Sequence, residues 1–129
     1  MQYMVQLFGS ATRWDEEIAA YSPAQFQAMV DHMEALNEEL TASGELVEAR
    51  GLGGPALVTT VRAKDDGPPQ VTDGLHDERA NLLAGYWVVE VADRDRAVEI
   101  AARASAAPGP GDAHNFPVEV HELPTDLPR

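Results

Sequence analysis

Apolar residues alternate along two stretches of the chain in the manner of β-strands. Residues 2–8 read QYMVQLF, and alternation places apolar side chains on both faces: Tyr3, Val5 and Leu7 on one, Met4 and Phe8 on the other. Residues 85–91, GYWVVEV, show nearly the same pattern, interrupted by Glu90. We predict a strand in each stretch, with the first ending at Gly9 and Ser10. Both strands therefore present apolar surface on two sides.

Helical periodicity is clearest in residues 22–44, SPAQFQAMVDHMEALNEELTASG. Ser22 and Gln25 form an S-x-x-Q capping box, Pro23 suits the first turn, and Gly44 is a natural stop. Apolar side chains recur at helical spacing and form one stripe: Phe26, Met29, Val30, Met33, Leu36 and Leu40. The pattern predicts one long helix with its apolar stripe against a sheet.

The other segments predict shorter elements. Before the long helix, Trp14 and Ile18 at i and i+4 indicate a loop or short irregular helix that packs down. Strands are predicted at 45–50, 56–64 and 70–72, with the turn DDGPP joining the last two as a hairpin. A second helix capped by Asp93 is predicted over 92–107, a final strand over 116–123 and a frayed tail over 125–129. The second helix buries its small apolar positions: Ala97, Ile100, Ala101 and Ala104.

The predicted order of elements is β-α-β-β-(β)-β-α-β, within a single domain spanning residues 1–129. This order indicates an α+β fold on the ferredoxin-like, split β-α-β plan with an added hairpin. Two helices cover only one face of such a sheet. Because exposed apolar surface costs about 25 cal/mol per Å², we expect a second copy of the chain to cover the other face in a two-fold homodimer.

Composition excludes several classes of function. The chain has 22 acidic against 9 basic residues, a net charge of −13, which repels phosphate backbones and anionic lipid. It has no cysteine, so disulfides, thiol nucleophiles and Cys-ligated metals are excluded. No apolar run approaches a membrane span, and no secretory signal is visible. We therefore expect a cytoplasmic protein that binds neither nucleic acid nor membrane directly.

Several stretches resemble the YCII-related family, in its DGPF-domain branch. They are QYMVQLFG, LNEELTASGELVEA, TTVRAKDDGPPQVTDG, LLAGYWVVEVADRDRAVEIAAR and VEVHEL, which together cover most of residues 1–123. The resemblance implies a dimeric α/β-barrel, two ferredoxin-like units with their sheets facing each other. Some relatives resemble enzymes with a His–Asp pair in a cleft, including a dehydrochlorinase, and others occur beside extracytoplasmic-function sigma factors. Most of the family has no assigned function.

One departure from the family pattern concerns the Asp-Gly-Pro-Phe signature. Here the signature reads Asp73-Gly74-Leu75-His76. Asp73 and Gly74 are kept, while a titratable side chain replaces the aromatic ring. The loop before Phe116 is also richer in Pro and Gly than the resemblance implies.

Three residues are candidates for catalysis: His32, Asp73 and His76. Asp73 is either a turn-bracing residue or a base at a cleft mouth. His76 is either an exposed loop histidine or one held by the neighbouring Asp77 and Glu78, whose pKa would then rise toward neutrality. His32 lies about 90° from the centre of the helical stripe, at about 100° per residue. It is either a packing and hydrogen-bonding residue or, as the resemblance implies, part of a site.

A metal site is not indicated by the remaining histidines. His114 and His121 are seven residues apart, and no H-x-H, H-x₃-H or H-E-x-x-H pattern occurs. We expect no bound metal and no cofactor.

Two functions remain open from the sequence. The first is a domain that binds a small polar organic molecule in a cleft near residues 73–81, with possible proton-transfer chemistry of the lyase or elimination type. The second is a non-catalytic regulatory or accessory dimerisation module, linked to a sigma-factor system. A pocket beside Asp73 would favour the first, and a closed apolar cleft would favour the second.

Overall fold

The computed structural model describes residues 1–125 and contains six strands and three helices in that range. The strands are β1 (Gln2–Ser10), β2 (Leu46–Gly51), β3 (Thr59–Arg62), β4 (Gln70–Asp73), β5 (Asn81–Glu90) and β6 (Glu119–Leu123). The helices are α1 (Trp14–Ala19), α2 (Pro23–Ser43) and α3 (Arg94–Ser105). Apart from Thr125, the predicted frayed tail lies outside the described residues. The predicted α+β class is confirmed.

Four strands form one antiparallel sheet in the order β2-β5-β1-β6, and β3 and β4 form a separate two-stranded sheet. In the larger sheet Val5 lies opposite Trp87 on β5 and opposite Val120 on β6. The predicted hairpin is confirmed, because β3 and β4 pair antiparallel with Thr60 opposite Thr72.

The helix ends follow their sequence signals. Ser22 accepts a hydrogen bond from the backbone N–H of Gln25, whose side chain bonds back to the Ser22 N–H, so the capping box is present. Gly44 ends α2 at φ 78°, a left-handed conformation that favours glycine. The side chain of Asp93 caps α3 by accepting from the Arg96 N–H.

The helices α2 and α3 pack on one face of the four-stranded sheet. The core between them is almost wholly apolar: Tyr3, Val5, Leu36, Leu40, Trp87, Val89, Val91, Ala97, Ile100, Ala101 and Ala104. The predicted stripe on α2 is wrong at its first position, because Phe26 is 41% exposed. At this end of α2 Phe26 packs edge-on against Tyr21, with ring centroids 5.7 Å apart.

The opposite face of the sheet is less apolar than predicted. In its centre Met4 lies opposite Val88, which is only 8% exposed although it points away from the helix-side core. The edge strands place polar side chains on this face: Glu48 and Arg50 on β2, Glu119 and His121 on β6. Alternation restricts the apolar surface to the two central strands.

Several predicted strand boundaries are wrong, for physical reasons. The strand predicted at 56–64 begins only at Thr59, because Pro55–Leu57 form a 3₁₀ turn with the Val58 N–H bonded to the Pro55 carbonyl. The strand predicted at 85–91 begins at Asn81, because β1 continues to Ser10 and pairs with it across a bulge. The last strand begins at Glu119, after Pro117, which has no N–H to donate.

The short helix α1 packs through one of its two predicted contacts. The indole of Trp14 lies against Gly9 and Gly54, where a Cβ atom would stand 2.6 Å and 2.5 Å from the ring. Ile18, by contrast, is 47% exposed and does not pack down as predicted. Trp14 thus joins the end of β1 to the segment that leads into the hairpin.

Candidate functional site

The β3–β4 hairpin has one polar face and one apolar face. Alternation places Thr60 and Arg62 of β3 beside Thr72 and Gln70 of β4 on the polar face. Val61 and Val71 face the other way and are 60% and 63% exposed. The loop after β4 curls back over the polar face and brings Leu75 and His76 against it.

Six residues line an open cleft of about 190 Å³: Thr60, Arg62, Gln70, Thr72, Leu75 and His76. Thr60 and Leu75 are half-buried, and the other four are exposed. Only Leu75 among the six is apolar. We call this the hairpin cleft. Its position is fixed by two hydrogen bonds at the base of the loop. The Gly74 N–H donates to the Val58 carbonyl at 2.7 Å, and the Thr60 hydroxyl donates to the Gly74 carbonyl at 2.7 Å.

His76 is held on two sides by its own loop. Arg79 Nη2 lies 3.1 Å from His76 Nδ1, and Asp77 Oδ2 lies 3.5 Å from His76 Nε2. A guanidinium only donates, so Nδ1 is the acceptor and the proton of the neutral ring is on Nε2. The side chain of His76 is 59% exposed. In this arrangement the imidazole offers an N–H to its surroundings.

Arg79 also fixes the charge of Asp77. Its Nε donates to Asp77 Oδ1 at 2.6 Å, and this hydrogen bond holds the pKa of Asp77 below its ordinary value. The charge of Arg79, and that of His76 when its ring is protonated, act in the same direction. The carboxylate at the rim is therefore ionised and already paired, and it does not line the cleft.

Asp73 and Gly74 occupy the point where the strand becomes the loop. Gly74 has φ 100°, a conformation that favours glycine, and its turn role is the one that the structure shows. Asp73 lies opposite Thr59, on the same face of the hairpin as Val61 and Val71. Its side chain therefore faces away from the cleft, although it is next to Thr72 in sequence.

His32 lies elsewhere, between the two long helices. Its Nε2 is 2.7 Å from the carbonyl oxygen of Arg103 in the last turn of α3, so Nε2–H donates. This carbonyl lacks the usual helical partner, because the Ala107 N–H bonds to Ala104 instead. The structure thus gives His32 a packing and hydrogen-bonding role, and none of its hydrogen bonds within residues 1–125 reaches Asp73 or His76.

The remaining histidines are also separate. His114 Nδ1 lies 2.7 Å from the Asp112 carbonyl, and His121 Nε2 lies 2.8 Å from Glu119 on the open sheet face. In the part of the chain that the structure describes, no three His, Asp or Glu side chains are grouped closely enough to hold a metal ion.

A second depression of about 470 Å³ lies beside α1. Residues 12–16 and 54–57 line it, with Trp14 as its aromatic wall. Its one basic group, Arg13, is already paired with Glu16 at 3.0 Å. It is larger than the hairpin cleft, but it brings together fewer free polar groups and no histidine. The hairpin cleft is therefore the better candidate for recognition of a polar ligand.

Four residues of the hairpin cleft were not predicted from the sequence: Thr60, Arg62, Gln70 and Thr72. Their signal was present, because polar residues at 60, 62, 70 and 72 alternate with Val61 and Val71. The pattern does not show which face of the hairpin the loop after β4 covers.

The structure defines the class as a small α+β domain with antiparallel sheets and a polar cleft on an appended hairpin. The family model of the YCII-related domain matches residues 12–113, so the chain belongs to this family. A search of curated protein sequences finds no match. No helix within residues 1–125 is long and apolar enough to span a membrane.

Proposed function

We propose that this YCII-related domain binds a small polar organic molecule in the hairpin cleft, with His76 as a direct contact. One observation carries the proposal. His76, one of the two residues that depart from the Asp-Gly-Pro-Phe signature, lies in a cleft whose other walls are hydroxyl, amide and guanidinium groups and the apolar Leu75. Convergent polar groups beside an exposed histidine are typical of a ligand site.

Binding is better supported than proton abstraction. To act as a base through Nε2, the imidazole would have to move its proton to Nδ1, which accepts from Arg79. Elimination or lyase-type chemistry therefore requires Arg79 to leave Nδ1 when a substrate arrives. Proton transfer by His76, and catalytic roles for Asp73 and His32, stay predictions from the sequence.

The test is a screen of polar metabolites by ligand-observed NMR, followed by titration of each hit. We expect His76→Ala to weaken the binding of a hit by about tenfold or more, which is about 1.4 kcal/mol. His114→Ala is the matched control, because His114 is an exposed loop histidine that bonds only within its own loop. Equal affinity in the wild type and His76→Ala for every hit would contradict the proposal.

Asp73→Asn distinguishes a ligand that binds in the hairpin cleft from a ligand that binds at Asp73, at the end of β4. If the cleft alone binds the ligand, this variant keeps its affinity, because the side chain faces the opposite side of the hairpin. Loss of binding in Asp73→Asn would instead restore the role that the Asp-Gly signature predicts, and would place the ligand at the strand end.

The sheet also supports a proposal for the assembly. The order β2-β5-β1-β6, with α2 and α3 as crossovers, supports the ferredoxin-like plan. A two-fold dimer that pairs the open faces would bury Met4 and Val88 and could match Arg50 of one copy with acidic side chains of the other. Such a dimer, in the DGPF-domain branch, is the dimeric α/β-barrel of the family resemblance.

Light scattering at micromolar concentration tests the dimer. We expect the mass of two chains for the wild type and of one chain for Met4→Lys, which places a charge in the apolar centre. Val98→Lys, on the exposed side of α3, is the control and should stay dimeric. A monomeric wild type would contradict the dimer but not the cleft.

The alternative function is a regulatory or accessory module, and the apolar face of the hairpin favours it. Val61 and Val71 are exposed together on two strands that, within residues 1–125, pair only with each other. A protein partner, such as a component of a sigma-factor system, would cover them. Partner capture from the native cell that is abolished by Val61→Thr with Val71→Thr, but not by His76→Ala, would support this alternative.

A further inference from the structure

The charge of the hairpin cleft identifies the class of ligand. This step rests on the proposed function, and it begins with Arg62. Five other arginines have a carboxylate partner among the described residues: Arg13, Arg50, Arg79, Arg96 and Arg103. Arg62 has none within residues 1–125, and neither has Arg94, which begins α3 and does not line the cleft. Arg62 is thus a guanidinium without a counter-ion, on the wall of a cleft.

The other walls add donors and no negative charge. No Asp or Glu within residues 1–125 lines the cleft. The Thr72 hydroxyl and the Gln70 amide make no side-chain hydrogen bond within the described residues, whereas the Thr60 hydroxyl already donates to Gly74 and the Nε2–H of His76 lies 3.5 Å from Asp77 Oδ2. The Asp77 carboxylate, whose Oδ2 lies 3.5 Å from His76 Nε2, is paired through Oδ1 with Arg79. A cation surrounded by neutral donors favours an anionic group in the cleft.

We propose that the ligand is a small monocarboxylate whose carboxylate is anchored by Arg62. A guanidinium fork matches the two oxygens of a carboxylate. The cleft is small, about 190 Å³, and its size suits a short-chain acid. The net charge of −13 disfavours a multiply charged anion such as phosphate.

The neutral part of the ligand would meet the remaining walls. Leu75 supplies the one apolar contact, and His76 and Gln70 supply polar contacts. A short hydroxy acid therefore fits better than an alkyl acid of the same length. The His76 N–H and the Gln70 amide would bond its hydroxyl, and Arg62 its carboxylate.

The experiment compares acids with their uncharged amides at constant ionic strength. Glycolate, propionate, glycolamide, propionamide and inorganic phosphate are titrated into ¹⁵N-labelled protein, and shifts are followed at the cleft residues. We expect glycolate to bind the wild type at least about tenfold more tightly than glycolamide, the advantage of a charge-assisted contact. Propionate should bind more weakly than glycolate, and phosphate more weakly than either acid.

Two variants assign the preference to Arg62. Arg62→Gln should reduce the preference for acid over amide to about onefold, and Arg62→Lys should keep part of it, since it keeps charge but not the fork. Lys64→Gln is the matched control, because Lys64 also lacks an ion-pair partner within the described range but does not line the cleft. It removes the same unit of net charge, so it should leave the preference unchanged.

The outcomes separate this inference from the proposed function. If the amides bind as tightly as the acids and binding is lost in His76→Ala, the proposal of a carboxylate ligand is overturned. The hairpin cleft would still be the binding site. Tighter binding of phosphate than of glycolate would overturn the choice of a monocarboxylate. An acid preference that Arg62→Gln leaves intact would overturn the role of Arg62. No shift at any cleft residue with any probe would overturn both proposals.

Discussion

Arg96 binds both carboxylate oxygens of Glu45, with Nε and Nη2 each donating at 2.8 Å. The pair joins the first turn of α3 to the residue between α2 and β2, 51 positions earlier in the chain. The Glu45 side chain is 18% exposed, and the Ser43 hydroxyl also donates to it. The contact thus ties together the three elements that meet at this end of the core.

This ion pair predicts how stability depends on pH. The hydrogen bonds from Arg96 and then Ser43 lower the pKa of Glu45 from 4.5 to about 2, against a smaller opposing effect of burial. A carboxyl group whose pKa is lowered by folding stabilises the protein above its unfolded pKa. That stability is lost as pH falls from about 4.5 through about 2. Arg96 stays charged throughout this range.

Glu45→Gln should remove that pH dependence. We expect the free energy of unfolding at neutral pH to fall by about 1–3 kcal/mol, because the charge-assisted bidentate contact is lost. Between pH 4.5 and pH 2 the variant should lose less stability than the wild type. Urea unfolding at several pH values measures both effects. Glu99→Gln is the control: Glu99 also contacts Arg96, but it is 67% exposed and should contribute at most about 0.5 kcal/mol. Parallel pH profiles for wild type and Glu45→Gln would contradict the assignment.

The hydrogen bond between Trp87 and Asn37 gives a second prediction. The indole N–H of Trp87 donates to Asn37 Oδ1 at 2.5 Å, and the Trp87 side chain is only 4% exposed. Asn37→Leu should cost about 1–3 kcal/mol, because it leaves a buried donor unpaired. Asn37→Asp keeps an acceptor oxygen and should cost less. In a Trp87→Phe background, which has no N–H to satisfy, Asn37→Leu should be nearly neutral. A full cost in that background would mean that packing, and not the hydrogen bond, is what Asn37 contributes.

The contact of Trp14 with Gly9 and Gly54 gives a third prediction. A Cβ at Gly9 would stand 2.6 Å from the ring and one at Gly54 2.5 Å from it, so either alanine substitution must displace the indole. We expect Gly9→Ala or Gly54→Ala to lower the free energy of unfolding by about 1–3 kcal/mol, as overpacking does. Trp14 fluorescence in a Trp87→Phe background should shift to longer wavelength in both. Gly51→Ala is the control, because a Cβ there meets nothing within 4 Å. Unchanged emission in both variants would show that the ring does not pack as described.

The fold was predictable where the signals are local. The capping box at Ser22 and the left-handed Gly44 fix both ends of α2 from adjacent residues, and Asp93 does the same for the start of α3. The start of β5 was missed because Asn81 pairs with Ser10, 71 residues earlier, across a bulge that no local pattern encodes. Met4 and Val88 were recognised as apolar, but the charged edges of their face depend on which strands lie outermost.

The contacts within the loop of the candidate site could be predicted from the sequence. The strand residues that line the cleft could not. His76 and Arg79 are three residues apart, so their contact is close to local. Arg62 and Thr72 meet His76 only because Gly74 and Thr60 close the loop over one face of the hairpin. Asp73 and His32 were grouped with His76 by titratable chemistry, whereas strand alternation and the α2–α3 contact separate them.

His32 provides the last prediction, which distinguishes a packing residue from a site residue. Its Nε2–H satisfies the Arg103 carbonyl in the final turn of α3, so His32→Ala should cost about 1 kcal/mol in unfolding free energy. His32→Gln keeps a donor of similar reach and should recover part of this loss. Neither variant should change the affinity for a cleft ligand, because His32 lines no wall of the cleft. A variant that unfolds as easily as the wild type yet loses ligand would contradict the helix-tying role. It would return His32 to the site that the family resemblance implies.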